Sequence, residues 1–142
     1  MDQRPVNAMT SILRVTAAII IHDGTILIAQ RRPNDRLAGM WEFPGGKMEA
    51  GETPEQCLKR ELREELAMDA AVGRFLGSCV YHYDHISIDL MAYRVSWNGR
   101  PLRLISHQAV RWVFPGQLAD YPFTPADLPF VRRLENGDIP LD

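Results

Sequence analysis

The chain has 142 residues, enough for one domain with a substantial core. Its 16 basic and 18 acidic side chains give a net charge of −2, which excludes the broad basic face that a polynucleotide needs but not the few local cations that hold a free nucleotide. No stretch approaches the roughly 18 apolar residues of a membrane span, and the start lacks a signal-peptide pattern. The two cysteines, Cys57 and Cys79, form no metal-ligand spacing, and a reducing, cytoplasmic compartment fits best.

Residues 1–10 are polar and aperiodic, and are expected as a flexible tail. Leu13 to Ile21 is a β-branched run that ends at His22-Asp23-Gly24, and Thr25 to Gln30 follows as its hairpin partner. A loop rich in turn and charged residues fills 32–40. Trp41-Glu42-Phe43 reads as a short strand leading into Pro44-Gly45-Gly46, where glycine lets backbone approach a phosphate or a metal closely. Thr53, Pro54 and Gln56 form a helix start with a capping box. Strands are expected near 71–81 and 85–96, then a turn at Asn98-Gly99, then strand-like Leu102–Ile105 and Val110–Phe114. Thr124-Pro125-Ala126-Asp127 is a second capping signature, with Leu128, Val131 and Leu134 at helical spacing and Asn136-Gly137 as the stop. One α/β (α+β) domain is expected over 11–137, a mixed sheet packed between helices, with 138–142 as a C-terminal tail.

The chemistry concentrates on the first helix. Leu58, Leu62 and Leu66 recur at i,i+4 as a core-facing stripe. Glu61, Glu64 and Glu65 cluster roughly a quarter-turn away. Like charges at i,i+4, as in Glu61 and Glu65, destabilise a helix, and a bound divalent cation reverses that sign. Arg60 lies four residues before Glu64 and can orient or partly neutralise it. A Glu-rich helix face is usually only solvated surface. Here it follows Gly45-Gly46 and Gly51-Glu52 at fixed spacing, which points to a metal and diphosphate site. Arg31 and Lys47 flank this segment, and composition alone leaves them as either solvated strand ends or phosphate contacts. Tyr81 and Tyr83 share one strand face and can stack on a base or simply pack. His22, His82, His85 and His107 show no ligand spacing, and Trp41, Trp97 and Trp112 are expected in the core.

The segment from Gly46 to Met68 resembles the Nudix box, Gly-x5-Glu-x7-Arg-Glu-U-x-Glu-Glu-x-Gly-U, where U is bulky and apolar. It matches through Gly46, Glu52, Arg60, Glu61, Leu62, Glu64, Glu65 and Met68, with Ala67 in place of the usual glycine. The upstream run from Gln30-Arg31-Arg32 to Trp41-Glu42-Phe43-Pro44-Gly45-Gly46-Lys47 is similar to the MutT-like branch, and the resemblance covers roughly 13–134. It implies an α/β/α sandwich and a Mg²⁺ site, Mn²⁺ substituting, built from Glu61, Glu64, Glu65 and a carbonyl of Gly45 or Gly46. It further implies that one helix carboxylate orients the attacking water, that Glu52 positions its loop or Arg60, and that Arg31 and Lys47 contact phosphate.

The implied reaction cuts a nucleoside triphosphate between the α and β phosphates, in a monomer or weak homodimer. The first substrate reading is 8-oxo-dGTP, as in nucleotide-pool sanitation; the second is CTP or a 5-substituted dCTP. A noncatalytic MutT-like binding module is remoter, because such modules typically lose box carboxylates that are all present here. Two departures bear on this. Ser106 stands where MutT-like relatives usually carry a loop glutamate that reaches the metal; either the helix carboxylates suffice, or His107 or a water takes over, or turnover is slow. Asp127 stands where purine readers carry asparagine; an ionised aspartate only accepts hydrogen bonds, and this residue either caps a helix or reads the base.

Overall fold

The computed structural model describes residues 12–142, so the expected tail at 1–10 lies outside the described residues. Strands β1 (Ile12–His22) and β2 (Thr25–Gln30) form the spine. Ala17, Ile19 and Ile21 point to one side of β1 and Ala18 and Ile20 to the other. On β2, Ile26 and Ile28 oppose Leu27 in the same way, and all are buried. A strand covered on both faces needs a continuous apolar run rather than an alternating one, which explains the composition of both segments. Asp23 and Gly24, with φ of 51° and 74°, supply the two left-handed positions of the tight turn between them.

The other strands are β3 (Trp41–Glu42), β4 (Gly45–Lys47), β5 (Ala71–His82), β6 (Ser87–Ser96) and β7 (Ala109–Val113). They form one mixed sheet in the order β3-β2-β1-β6-β5, with β4 added to β1 and β7 to β2. The β1–β6 pair is parallel and the remaining pairs are antiparallel. Helix α1 (Pro54–Leu66) lays Leu58, Leu62 and Leu66 on the face carrying Ala18, Ile20, Leu27 and Met91. Helix α2 (Leu128–Glu135) lays Phe130, Val131 and Leu134 on the opposite face, against Ile19, Ile26 and Ile28. The result is the expected sheet between helices. No described helix is long and apolar enough to cross a membrane.

Four local expectations are corrected. Leu102–Ile105 is not a strand. It runs past the end of α1, where the Arg103 and Ile105 N–H groups donate to the Leu66 and Glu65 carbonyls at 2.9 and 3.0 Å, so helix-end carbonyls claim its donors. Gly45–Gly46, expected only as a glycine segment after the short strand, is itself a strand, paired with Ala17 and Thr16. Thr124 does not cap α2: a single 3₁₀ turn over Pro125–Asp127 intervenes, and the Thr124 hydroxyl donates to Asp127 instead. Residues 138–142 pack back on the body, with Ile139 buried in the core and the Pro140 carbonyl accepting from Arg94.

Candidate active site

The start of α1 sets the phase of the site. Thr53 Oγ1 accepts from the Gln56 N–H at 3.1 Å, and the Gln56 side chain accepts from the Thr53 N–H at 2.9 Å. This reciprocal cap fixes where the helix begins, and with the leucines on the sheet Glu61 and Glu65 face β4. Close approach requires glycine at position 45 of β4, and at position 46 it leaves room for the Glu61 carboxylate. A Cβ on Gly45 would collide with the Thr16 carbonyl, and one on Gly46 would lie 2.5–2.6 Å from the Glu61 carboxylate oxygens. The Gly46 carbonyl is already engaged, accepting from the Thr16 hydroxyl at 3.2 Å and from the Cys57 thiol.

Arg60 is the hub of the loop side. Its guanidinium lies 2.6 Å from Glu52, 3.0 Å from Glu61, 3.2 Å from Glu64 and 3.6 Å from Glu49. Glu52 Oε1 also accepts from the Glu49 N–H, which closes the loop before α1. The Arg60 contact, reinforced by that backbone bond, holds the Glu52 carboxyl down at about 2. The surrounding carboxylates push Arg60 up in turn.

The other side of the glutamate cluster is a cleft of about 610 Å³, within the usual range for a small-molecule site. Glu61, Glu65, Gly45, Gly46 and Lys47 line one end of it; Tyr83, Thr124, Ala126 and Asp127 line another part, with Arg31, Arg36, Glu42 and Phe43 also on its wall. Burial, then the nearby charges of Glu42 and Glu61, pushes Glu65 up to about 9. Burial raises Glu61 as well. Among the described residues, oxygen Oε1 of Glu65 is buried without a partner. Two raised carboxyls and an unpartnered buried oxygen fit a cation that takes the place of a proton. Among the described residues no three acidic, histidine or cysteine side chains converge closely enough to cage an ion unaided. Further ligands would have to be backbone, phosphate or water oxygens, the usual condition of Mg²⁺.

A NUDIX domain model matches residues 15–133 of this chain. The chain belongs to the Nudix family. The CTP pyrophosphohydrolase of Escherichia coli (strain K12) is 42% identical over 120 residues, covering 84% of this chain and 89% of its own. A putative 8-oxo-dGTP diphosphatase 2 of Mycobacterium tuberculosis (strain H37Rv) is 41% identical over 127 residues, with 84% and 86% covered. The solution structure of the E. coli ORF135 protein superposes with a TM-score of 0.78 at 38% identity, over 93% of this chain and 96% of that one. This Nudix chain is accordingly a hydrolase.

The fold brings most, but not all, of the expected Nudix residues to the cleft. Arg31, Gly45, Gly46, Lys47, Glu61, Glu65, Tyr83 and Asp127 line it. Glu64 is 59% exposed on the Arg60 side and does not. Tyr81 stands behind, edge-on to Tyr83 at 4.7 Å between centroids. Asp127 makes no cap on α2; its carboxylate accepts from the Phe43 N–H at 3.4 Å and from the Thr124 hydroxyl, and burial pushes it up to about 7. Ser106 is exposed and not on the cleft wall, so serine at this position leaves the loop without a side chain in the site.

Glu42, Arg36 and Phe43 were not among the expected site residues, and His107, without ligand spacing, was expected in the site only as a stand-in for the absent loop carboxylate. Glu42 joins Arg31 at 2.9 Å and His107 at 2.9 Å, and His107 is only 4% exposed. The available signal for Glu42 was a lone charge between two aromatics in a period-two strand. His107 lies 65 residues from Glu42, and no local pattern announces the pair.

Proposed function

We propose that this Nudix hydrolase is a Mg²⁺-dependent nucleoside triphosphate pyrophosphohydrolase, with Mn²⁺ able to substitute. It cuts between the α and β phosphates and releases a nucleoside monophosphate and pyrophosphate. The observation that carries this reading is Glu65: a raised carboxyl with one buried oxygen unpartnered among the described residues, beside Glu61 at the glycine strand, on the wall of a nucleotide-sized cleft. Glu61 and Glu65, with a carbonyl of Gly45 or Gly46, are the proposed metal ligands, and Glu64 joins them only by turning from Arg60 toward the cleft. A bound Mg²⁺ would screen phosphate charge, activate water and stabilise the leaving pyrophosphate. One helix carboxylate orients the attacking water. Arg60 and Glu52 keep the loop in place, while Arg31 and Lys47 take up phosphate charge.

The base reading rests on Asp127 and Tyr83. We take 8-oxo-dGTP as the substrate, in a nucleotide-pool sanitation role within the cytoplasm. The second reading, CTP or a 5-substituted dCTP, is favoured by the ionised form of Asp127, which accepts from a cytosine amino group but cannot donate to a purine O6; the protonated form that burial favours would supply that donor. A pyrophosphate-release screen over canonical, oxidised and methylated triphosphates, with and without EDTA, tests both. Asp127→Asn adds a donor and should shift relative kcat/KM toward 8-oxo-dGTP by about 1–3 kcal/mol. Unchanged substrate ratios would remove Asp127 from the specificity site, and full activity in EDTA would remove the metal.

A further inference from the structure

We infer that His107 is a positioning residue for substrate binding: from behind the cleft it holds Glu42, and Glu42 in turn aims Arg31 into the cleft. The inference rests on Arg31 being a substrate contact, as proposed above. Glu42 Oε1 accepts from Arg31 Nη1 at 2.9 Å, and its other oxygen lies 2.9 Å from His107 Nε2. An ionised carboxylate only accepts, so Nε2 carries the proton and donates. Arg31 and Glu42 both line the cleft, whereas His107 is 96% buried behind them. An ion pair with partial solvent access holds its geometry weakly, and the second, buried donor fixes the carboxylate plane.

The backbone supports the same reading. The Gln108 N–H donates to the Gln30 carbonyl at 3.0 Å, and Arg32 donates to the Ser106 and Ile105 carbonyls at 3.1 and 2.9 Å. Three consecutive residues, Gln30, Arg31 and Arg32, are thus tied to the loop that delivers His107, with Glu42 as the link for Arg31. His107 Nδ1 is buried with no partner among the described residues, a cost that an apolar side chain here would avoid. The loop that lacks a carboxylate at Ser106 serves the site through the next residue.

Steady-state kinetics with the best triphosphate from the screen, in Mg²⁺, test this with His107→Leu, His107→Gln, Arg31→Ala and the Leu/Ala double variant, each checked by thermal melting. His107→Leu should raise KM about tenfold, the worth of one charge-assisted hydrogen bond, with kcat within about twofold. His107→Gln, which keeps a donor near the Nε2 position, should restore most of the loss. The double variant should be no worse than Arg31→Ala in KM, because both changes break the same chain through Glu42. An unchanged KM in folded His107→Leu, no rescue by glutamine, or multiplying KM effects would overturn the inference. If His107→Leu does not fold, His107→Asn, whose shorter amide leaves Glu42 without this donor, combined with Arg31→Ala gives the same non-additivity test. If the wild-type protein turns over no triphosphate, the function reading fails by itself. Calorimetric binding of nucleoside monophosphates to the same variants then decides the role of His107, equal affinities overturning it.

Discussion

Glu65 is under two opposed demands. Folding places its carboxyl where burial and the charges of Glu42 and Glu61 disfavour ionisation. Cation binding requires the ionised form. Replacing it with glutamine should therefore separate activity from stability. Glu65→Gln should lower kcat by about two orders of magnitude, comparable to losing a key electrostatic stabiliser. In metal-free buffer near pH 8 the same variant should melt higher than wild type, because an amide need not take up a proton on folding. Stopped assays and thermal melts on one preparation check both, and wild-type turnover in this variant would sink the metal assignment.

Helix α1 shows what one departure from the Nudix box does to an element. Ala67 sits at φ 53°, ψ 35°, the left-handed position that closes the helix, so the usual conformation persists without the usual glycine. Its N–H donates to the Arg63 carbonyl, the Met68 N–H donates to that of Leu62, and Met68 is buried in the cluster that holds Leu62 and Leu66. Left-handed backbone costs an L-residue about 1–2 kcal/mol, and the extra chain entropy of glycine offsets part of that. Ala67→Gly should therefore stabilise the protein by about 0.5–1 kcal/mol in urea unfolding, with kcat unchanged. A neutral or destabilising result would show that the exit is held by the Met68 and Arg103 contacts without measurable strain at Ala67.

Across the whole molecule, the shifted carboxyls give stability a definite pH dependence. Glu65, raised from 4.5 to about 9, and Asp127, raised from 3.8 to about 7, bind protons more tightly in the folded state than in the unfolded one. Their contribution is fully present below the unfolded values and is lost as pH rises, up to about 7 for Asp127 and about 9 for Glu65. Glu52 has the opposite sign, but its window, from 4.5 down to about 2, lies in acid. Metal-free protein should thus melt at falling temperatures from pH 5 to pH 8. Saturating Mg²⁺ should recover more at pH 8 than at pH 5, because the ion replaces a proton. A flat melting profile, or equal Mg²⁺ stabilisation at both pH values, would contradict this charge arrangement.

Local patterns determined the elements whose signals are local. The β1–β2 hairpin follows from two apolar runs around Asp23-Gly24, and α1 from its capping box and leucine spacing, so the glutamates and the glycine segment facing them were legible from the residues alone. The box spacing carried the family as well. Only tertiary structure decided the remainder. Leu102–Ile105 has strand composition, yet its N–H groups go to the end of α1. Ile139 looks like part of a tail, yet it fills the core. Glu64 shares a helix face with its neighbours, yet Arg60 holds it on the outer side. Asp127 stands beside a helix start, yet its carboxylate turns toward Thr124 and Phe43. The pairing of buried His107 with Glu42 depends on strands β2, β3 and β7 lying side by side. Periodicity and capping act over a few residues and can be read along the chain, whereas the partner of a buried polar group is set by which distant segments the sheet brings together.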